Sequence, residues 1–269
     1  MSEQITDPDR ASDVDPVLEI DGLRKKFGEV VANDDITMSV EEGELRSIIG
    51  PNGAGKTTLF NQIAGVLSPT EGTIHFEGEE ITALPIEKRS QRGIGRAYQS
   101  NELFFEQTVF ENIRVAAQTA EIGEFSFDLF GRASNLKADR AEELIDQLDL
   151  TAERNTEARN LSHGDQRRLG IAVALATDPD LLLLDEPTSG MGPEATEETA
   201  SLIEDLRDEL EISVVLIEHD MSVVMGISDN VTVLYNGTHV ATGSPEEISD
   251  NEDVQEAYLG GMKEEELEL

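Results

Sequence analysis

The chain is 269 residues long, has no cysteine and no tryptophan, and sets 57 Asp and Glu against 20 Lys and Arg for a net charge of −37. That length admits one large domain, or a domain with a subdomain, with a proper core. The lack of cysteine excludes a disulfide framework and a thiolate metal site, and the acidic balance leaves no basic stripe with which to bind nucleic acid.

Residues 1–15 are polar and acidic, with Pro8 and Pro16 as punctuation, and read as a loosely held tail. The first residues, Met1 to Asp7, lack the basic region and apolar core of a signal peptide. A single domain is expected over 16–262, with 263–269 as a frayed acidic end. Val17 to Ile20 reads as a first strand. Ile36 to Val40 alternates apolar and polar residues as a half-buried strand does, and Glu42-Gly43-Glu44 turns the chain into a short buried strand, Leu45 to Ile49. Thr73 to Phe76 and Gly95 to Tyr98 read as two more.

From about 101 to 160 the strand signals vanish. Segments 109–119 and 138–149 carry helical apolar spacing, and Phe125, Phe127, Leu129 and Phe130 lie between them near two glycines. This block reads as a helical insertion with an exposed apolar loop. Alternation then returns: helix 165–176, strand 181–185, helix 193–210, strand 213–217, helix 220–226, strands 231–235 and 238–241, and terminal helices to Leu259. The pattern predicts an α/β domain, a parallel sheet wrapped by helices. Its apolar runs, Leu181 to Leu184 among them, are far too short to span a membrane. Any membrane role therefore comes through a partner.

The acids are spread over these elements, and the lysines are only Lys25, Lys26, Lys56, Lys88, Lys137 and Lys263. Such a surface repels itself in dilute buffer, whereas at molar salt the screening length is about 3 Å. A high-salt cytoplasm is the expectation.

Gly50-Pro51-Asn52-Gly53-Ala54-Gly55-Lys56-Thr57-Thr58 fits G-x-x-x-x-G-K-[ST] between a strand and a helix. Its glycines let successive N–H groups turn inward on anionic oxygens, and the helix adds its positive end. Lys56 is placed to reach the β- and γ-phosphates and Thr57 to offer its hydroxyl to Mg²⁺. Leu181-Leu182-Leu183-Leu184-Asp185-Glu186 ends a buried strand in two acids: Asp185 suits the metal and Glu186 suits the base that activates water. Leu161-Ser162-His163-Gly164-Asp165-Gln166 opens a helix and forms a second anion nest. Read alone, it is equally an ordinary N-cap. His219, just past the strand Val214 to Ile217, can contact the γ-phosphate and orient the water. Gln99 can bind Mg²⁺ or the water. Phe27 can stack on adenine or fill the core. His75, His163 and His239 have no acid–base constellation.

With these elements in this order, the sequence resembles the ATP-binding subunits of ABC transporters over nearly all of residues 17–260. Leu161 to Gln166 resembles the family's signature loop; Gln166-Arg167-Arg168-Leu169 that continues it, and the tail Glu218-His219-Asp220-Met221 to Ala257-Tyr258-Leu259-Gly260, are similar to the branched-chain amino-acid importer group, with urea and short-amide importers close by. The resemblance implies a P-loop NTPase core with a mostly parallel sheet, an N-terminal antiparallel β subdomain and an inserted α-helical subdomain. It further implies ATP and Mg²⁺, a head-to-tail pairing with a second ATPase subunit, membrane permease subunits and a separate substrate-binding protein. ATP would lie between the P-loop of one chain and Ser162 and Gly164 of the other, on the cytoplasmic face of the cell membrane. His163, Asp165 and Gly192 depart from the family pattern. A soluble ABC ATPase without a permease is the alternative, and nothing in the chain names a cargo.

Overall fold

The computed structural model describes residues 16–97, 103–119 and 133–256. In chain order they form β1 (Leu18–Phe27), β2 (Val30–Val40), β3 (Leu45–Ile49), α1 (Lys56–Ile63), β4 (Glu71–Phe76), β5 (Glu79–Glu80), α2 (Ile86–Ser90), β6 (Ile94–Ala97), α3 (Val109–Thr119) and α4 (Ala133–Gln147). A 3₁₀ turn, Ala158–Asn160, leads into α5 (His163–Leu175), β7 (Leu181–Asp185), α6 (Pro193–Leu210), β8 (Ser213–Ile217), α7 (Met221–Ile227), β9 (Asn230–Tyr235), β10 (Thr238–Gly243) and α8 (Pro245–Asp250).

The strands fall into two sheets. One is antiparallel, in the order β2-β1-β4-β5; the other runs β10-β9-β3-β8-β7-β6 and is parallel except for the β9–β10 hairpin. Strands buried on both faces should be continuously apolar, and β7 and β8 are. Their side chains divide by parity: Leu182, Leu184, Val214 and Leu216 pack toward α3–α6, while Leu181, Leu183, Val215 and Ile217 pack toward α1 and the antiparallel sheet. A third cluster, with Ile49, Val224, Val231, Val233 and Ile248, closes the β9 side.

Two expectations need extending. β1 runs on to Phe27 and β2 starts at Val30, well beyond the alternating cores read from sequence. Register shifts at Ile20/Leu23, Leu23/Lys25 and Lys25/Lys26 break the period there, so no simple alternation marks the continuation. The short helix α2 also carried no legible period. The insertion keeps its helical character, its beginning tied to its end by Val109 and Phe110 donating to the carbonyls of Thr156 and Arg154. Gln99 and the aromatic stretch 125–130 lie outside the described residues, as do 1–15 and 263–269.

Strand register positions the site. Ile48 and Asp185 both pair with Ile217, so β3, β8 and β7 end side by side. The residues that follow them, Gly50, Glu218 and Glu186, emerge on one edge, where such sheets bind ligands.

Candidate functional site

Sterics first shape the loop after β3. A Cβ on Gly50 would stand 2.1 Å from the Leu234 carbonyl oxygen, and one on Gly55, at φ 97°, would stand 2.5 Å from that of Ala32. Only glycine fits both places. The loop is therefore pressed between β2 and the β9–β10 hairpin. Asn33 donates to the Gly55 carbonyl at 3.2 Å and Gly237 N–H to that of Ala54 at 3.1 Å, fixing it from both sides. Lys56 folds back over the loop, its Nζ donating to the carbonyls of Gly50 (2.6 Å) and Pro51 (3.1 Å). Burial pushes the Lys56 ammonium down, opposed by Glu186 and Asp185. Asn52, Gly53 and Thr57 are exposed, Pro51 and Thr58 partly so, and Ala54 is buried. The loop thus presents backbone and hydroxyl to solvent.

At the end of β7, Asp185 has a largely buried side chain, with Arg96 at 3.9 Å. Burial raises its carboxyl above the usual range; Arg96 opposes the rise and Glu186 adds to it. Glu186 sits at φ 50°, in the left-handed region that non-glycine residues rarely adopt. Its N–H donates to Ile217 O at 2.9 Å, and its carbonyl accepts from Arg167 at 2.9 Å. Held in this way, its side chain meets His219, with Nε2 2.6 Å from Oε1. Glu218, buried, accepts from the Thr188 N–H (2.8 Å) and hydroxyl (2.6 Å) through one oxygen, and from the His219 N–H (3.0 Å) through the other. The two loops that carry Glu186 and His219 are so locked together.

The signature stretch caps α5. Ser162 is the N-cap and accepts from the Asp165 N–H at 3.1 Å, while its hydroxyl donates to the Asp165 carboxylate at 2.6 Å. Ser162 and His163 are exposed and Gly164 and Asp165 partly so. Leu161 and Gln166 instead point inward. Gln166 Nε2 donates to Ala158 O at 3.1 Å and braces the loop from beneath, so the outward surface is narrower than the six-residue motif. Phe27 is 48% exposed, which removes the core alternative, with Lys25 Nζ 5.2 Å from the ring centre.

The structure therefore brings Gly50–Thr58, Asp185, Glu186 and His219 to one edge and leaves the Ser162 loop on the flank, tied to that edge through Arg167. Sequence reasoning missed Asn33, Gln62, Arg96, Arg167, Thr188 and Glu218. Asn33 had a faint signal, being a polar residue that falls on a buried position of β2. Glu218 had none in a chain with so many acids.

Among the described residues no group of three His, Asp and Glu side chains could hold a metal alone. The oxygen donors of Thr57 and Asp185 instead suit Mg²⁺, which commonly takes one or two protein oxygens and completes its shell with phosphate and water.

The ABC transporter family model matches residues 33–189, and that for the branched-chain amino acid ATP-binding cassette transporter matches 238–264. The high-affinity branched-chain amino acid transport ATP-binding protein LivG of Salmonella typhimurium is 44% identical over 250 residues, 91% of this chain and 98% of that protein. BraF of Pseudomonas aeruginosa, described in the same words, is 42% identical with the same coverage. An ATP-binding cassette of an ABC transporter solved in its ADP conformation superposes with a TM-score of 0.80 at 29% identity, over 92% of this chain and all of that one. A dimeric cassette bound to ADP and Pi after hydrolysis gives 0.73 at 27% identity, over 85% of this chain and 98% of that one. This chain is an ATPase of the ABC transporter ATP-binding family.

Proposed function

We propose that the chain is the ATP-hydrolysing subunit of an importer for branched-chain amino acids or similar small polar solutes. The observation that carries the catalytic reading is the 2.6 Å contact between Glu186 and His219 beside the P-loop. ATP binds with its adenine on Phe27 and its phosphates in Gly50–Thr58, where Lys56 exchanges the carbonyls of Gly50 and Pro51 for phosphate oxygens. Thr57, Asp185 and Gln99 are the Mg²⁺ ligands of this reading, the ion neutralising phosphate charge when bound. Glu186 accepts the proton of the attacking water as its oxygen bonds to the γ-phosphorus and the bond to ADP breaks. His219 holds the carboxylate in line.

The dimeric neighbour and the surface of exposed Ser162 and His163 and partly exposed Gly164 support a composite site completed by a second ATPase subunit. Among the described residues no helix is long and apolar enough to cross a membrane, and the relatives, named as transport ATP-binding proteins, support work through membrane permease subunits; a separate substrate-binding protein completes this reading. That reading places the chain on the cytoplasmic side of the membrane, and the acidic surface suits high salt. Phe104, 57% exposed, is the point of contact we assign to the permease. Its backbone is gripped by buried Asn112, whose Oδ1 accepts from Phe104 N at 2.9 Å and whose Nδ2 donates to Phe104 O at 3.1 Å.

Glu186→Gln tests the chemistry: it should bind ATP as the wild type does and lose about 10²–10⁴ in turnover. Unchanged turnover would remove Glu186 as the base. Coupling is tested by co-purification with an integral membrane protein and ATP-driven leucine uptake in proteoliposomes. A chain that recovers no membrane partner would stand as a soluble ATPase.

A further inference from the structure

Glu186 is held in an unfavourable backbone conformation by groups from two directions. Its N–H is fixed by β8 through Ile217, and its carbonyl by a side chain from α5, the helix that Ser162 caps. Arg167 directly follows the six-residue signature stretch, in the second turn of α5, and is partly buried. Its guanidinium lies in the field of both Glu186 and Glu218. Glu218 in turn grips Thr188, at the start of the loop that leads to Gly192 and α6. A rigid helix therefore connects the surface that would dock on a neighbour's nucleotide to the carbonyl of the residue that would act on the chain's own.

We propose that Arg167 is a positioning residue that links the two composite ATP sites, carrying movement of the Ser162 cap to the backbone of Glu186. This rests on the two-chain reading given above. In such a dimer Ser162 and Glu186 of one chain belong to different ATP sites, and Arg167 is a direct polar contact between their supporting elements. A short shift of α5 along its axis changes the Arg167–Glu186 hydrogen bond. The left-handed turn at Glu186 then has one restraint fewer, and the carboxylate leaves its contact with His219. A population shift of this kind needs differential contact in the two states, which the hydrogen bond supplies.

The test compares Arg167→Met, Arg167→Gln and Arg167→Lys in the full chain with its permease, reading turnover, KM and Hill coefficient for ATP, with binding of a fluorescent ATP analogue measured separately. Wild type should show a Hill coefficient above 1. The Met and Gln variants should bind the analogue within about twofold of wild type, lose about tenfold or more in kcat with little change in KM, and show a Hill coefficient near 1. Arg167→Lys, which keeps a charged donor, should regain most of the turnover. Should the Met variant not fold, the Gln variant carries the same expectation. Wild-type turnover and cooperativity in both neutral variants, or a loss confined to KM, would overturn the proposal, as would a Hill coefficient of 1 in the wild type. Glu186→Gln with ATP on size exclusion separates the two ideas: failure to dimerise sinks the two-chain reading, whereas a dimer with unaltered Arg167 variants sinks only the link.

Discussion

Asn33 of β2 and Gln62 of α1 share a hydrogen bond of 2.8 Å inside the core, and the same Asn33 amide donates to the carbonyl of Gly55. Both side chains are fully buried, so the pair fixes the P-loop to the antiparallel sheet at the first turn of α1. Asn33→Ala leaves the Gln62 amide unpartnered, a loss of about 1–3 kcal/mol. Denaturant melts should show that loss. The double variant Asn33→Leu, Gln62→Leu should regain much of the stability, because removing both partners is nearly neutral. Its ATP affinity should stay weak, because the Gly55 tether is still gone. Wild-type affinity in the double variant would show that the tether has no role.

Asp185 should make the nucleotide-free protein less stable as pH rises. Burial lifts its folded-state value above the ordinary 3.8, so the folded chain holds this proton more tightly than the unfolded chain. Stability from this group is present below the unfolded value and falls as pH climbs through the window up to the raised folded value. Asp185→Asn removes the buried charge. Its Tm should exceed wild type at pH 7, and the gap should narrow toward pH 4, while activation by Mg²⁺ is lost. A lower Tm at pH 7 would mean that the Arg96 contact outweighs burial.

Arg89 is a stability prediction of the opposite sign. It is 1% exposed, and its guanidinium donates to the carbonyls of Gln62 and Ile63, both at 2.7 Å, and of Leu84 and Thr82, both at 3.0 Å. Burial pushes it down to about 10, which leaves it charged at neutral pH. A cation there caps the negative end of α1. Arg89→Met should cost about 3 kcal/mol or more by orphaning buried acceptors. Urea denaturation would show this, and a change below 1 kcal/mol would be evidence that water replaces the side chain.

Phe104→Ala should leave the basal ATPase rate of the isolated chain unchanged and reduce both its stimulation by the permease and uptake in proteoliposomes by about tenfold, the scale of a single buried aromatic anchor. Equal stimulation in both proteins would place the contact elsewhere.

Salt should stabilise the chain. On α6, Glu194, Glu197, Glu198, Asp205, Asp208 and Glu209 are all exposed, and the nearby cations Arg168 and Arg207 pair with only some acids of this face. Screening of that repulsion strengthens between dilute buffer and molar KCl. Tm should climb steadily across that range, and a flat profile would end the high-salt reading.

The strand edge that carries the site was legible because β7 and β8 are almost wholly apolar and β3, though it holds Arg46 and Ser47, is short and ends in Ile48-Ile49, each strand running within two residues into chemistry: Gly50, Asp185-Glu186, His219. The supports of that chemistry were not legible. Arg167 reaches Glu186 across 19 positions and Glu218 reaches Thr188 across 30. Contacts at such separations leave no local period, and a buried glutamate looks like its many exposed neighbours in a sequence this acidic. The signature motif shows the converse case: six residues read as one surface, while burial turns Leu161 and Gln166 into its underside.

Gly50 rests on the Leu234 carbonyl, and Gly237 bonds to Ala54 and Asp34. The loop near the beginning of the domain thus receives its mould from a hairpin made almost two hundred positions later. Contacts so distant in sequence form late and slowly. While the chain is being synthesised, the phosphate-binding residues emerge early and wait for β9 and β10 before they acquire a shape. A nascent chain halted before Leu234 carries the nucleotide site with one wall of its mould missing, and it should hydrolyse ATP only once its fold is nearly complete.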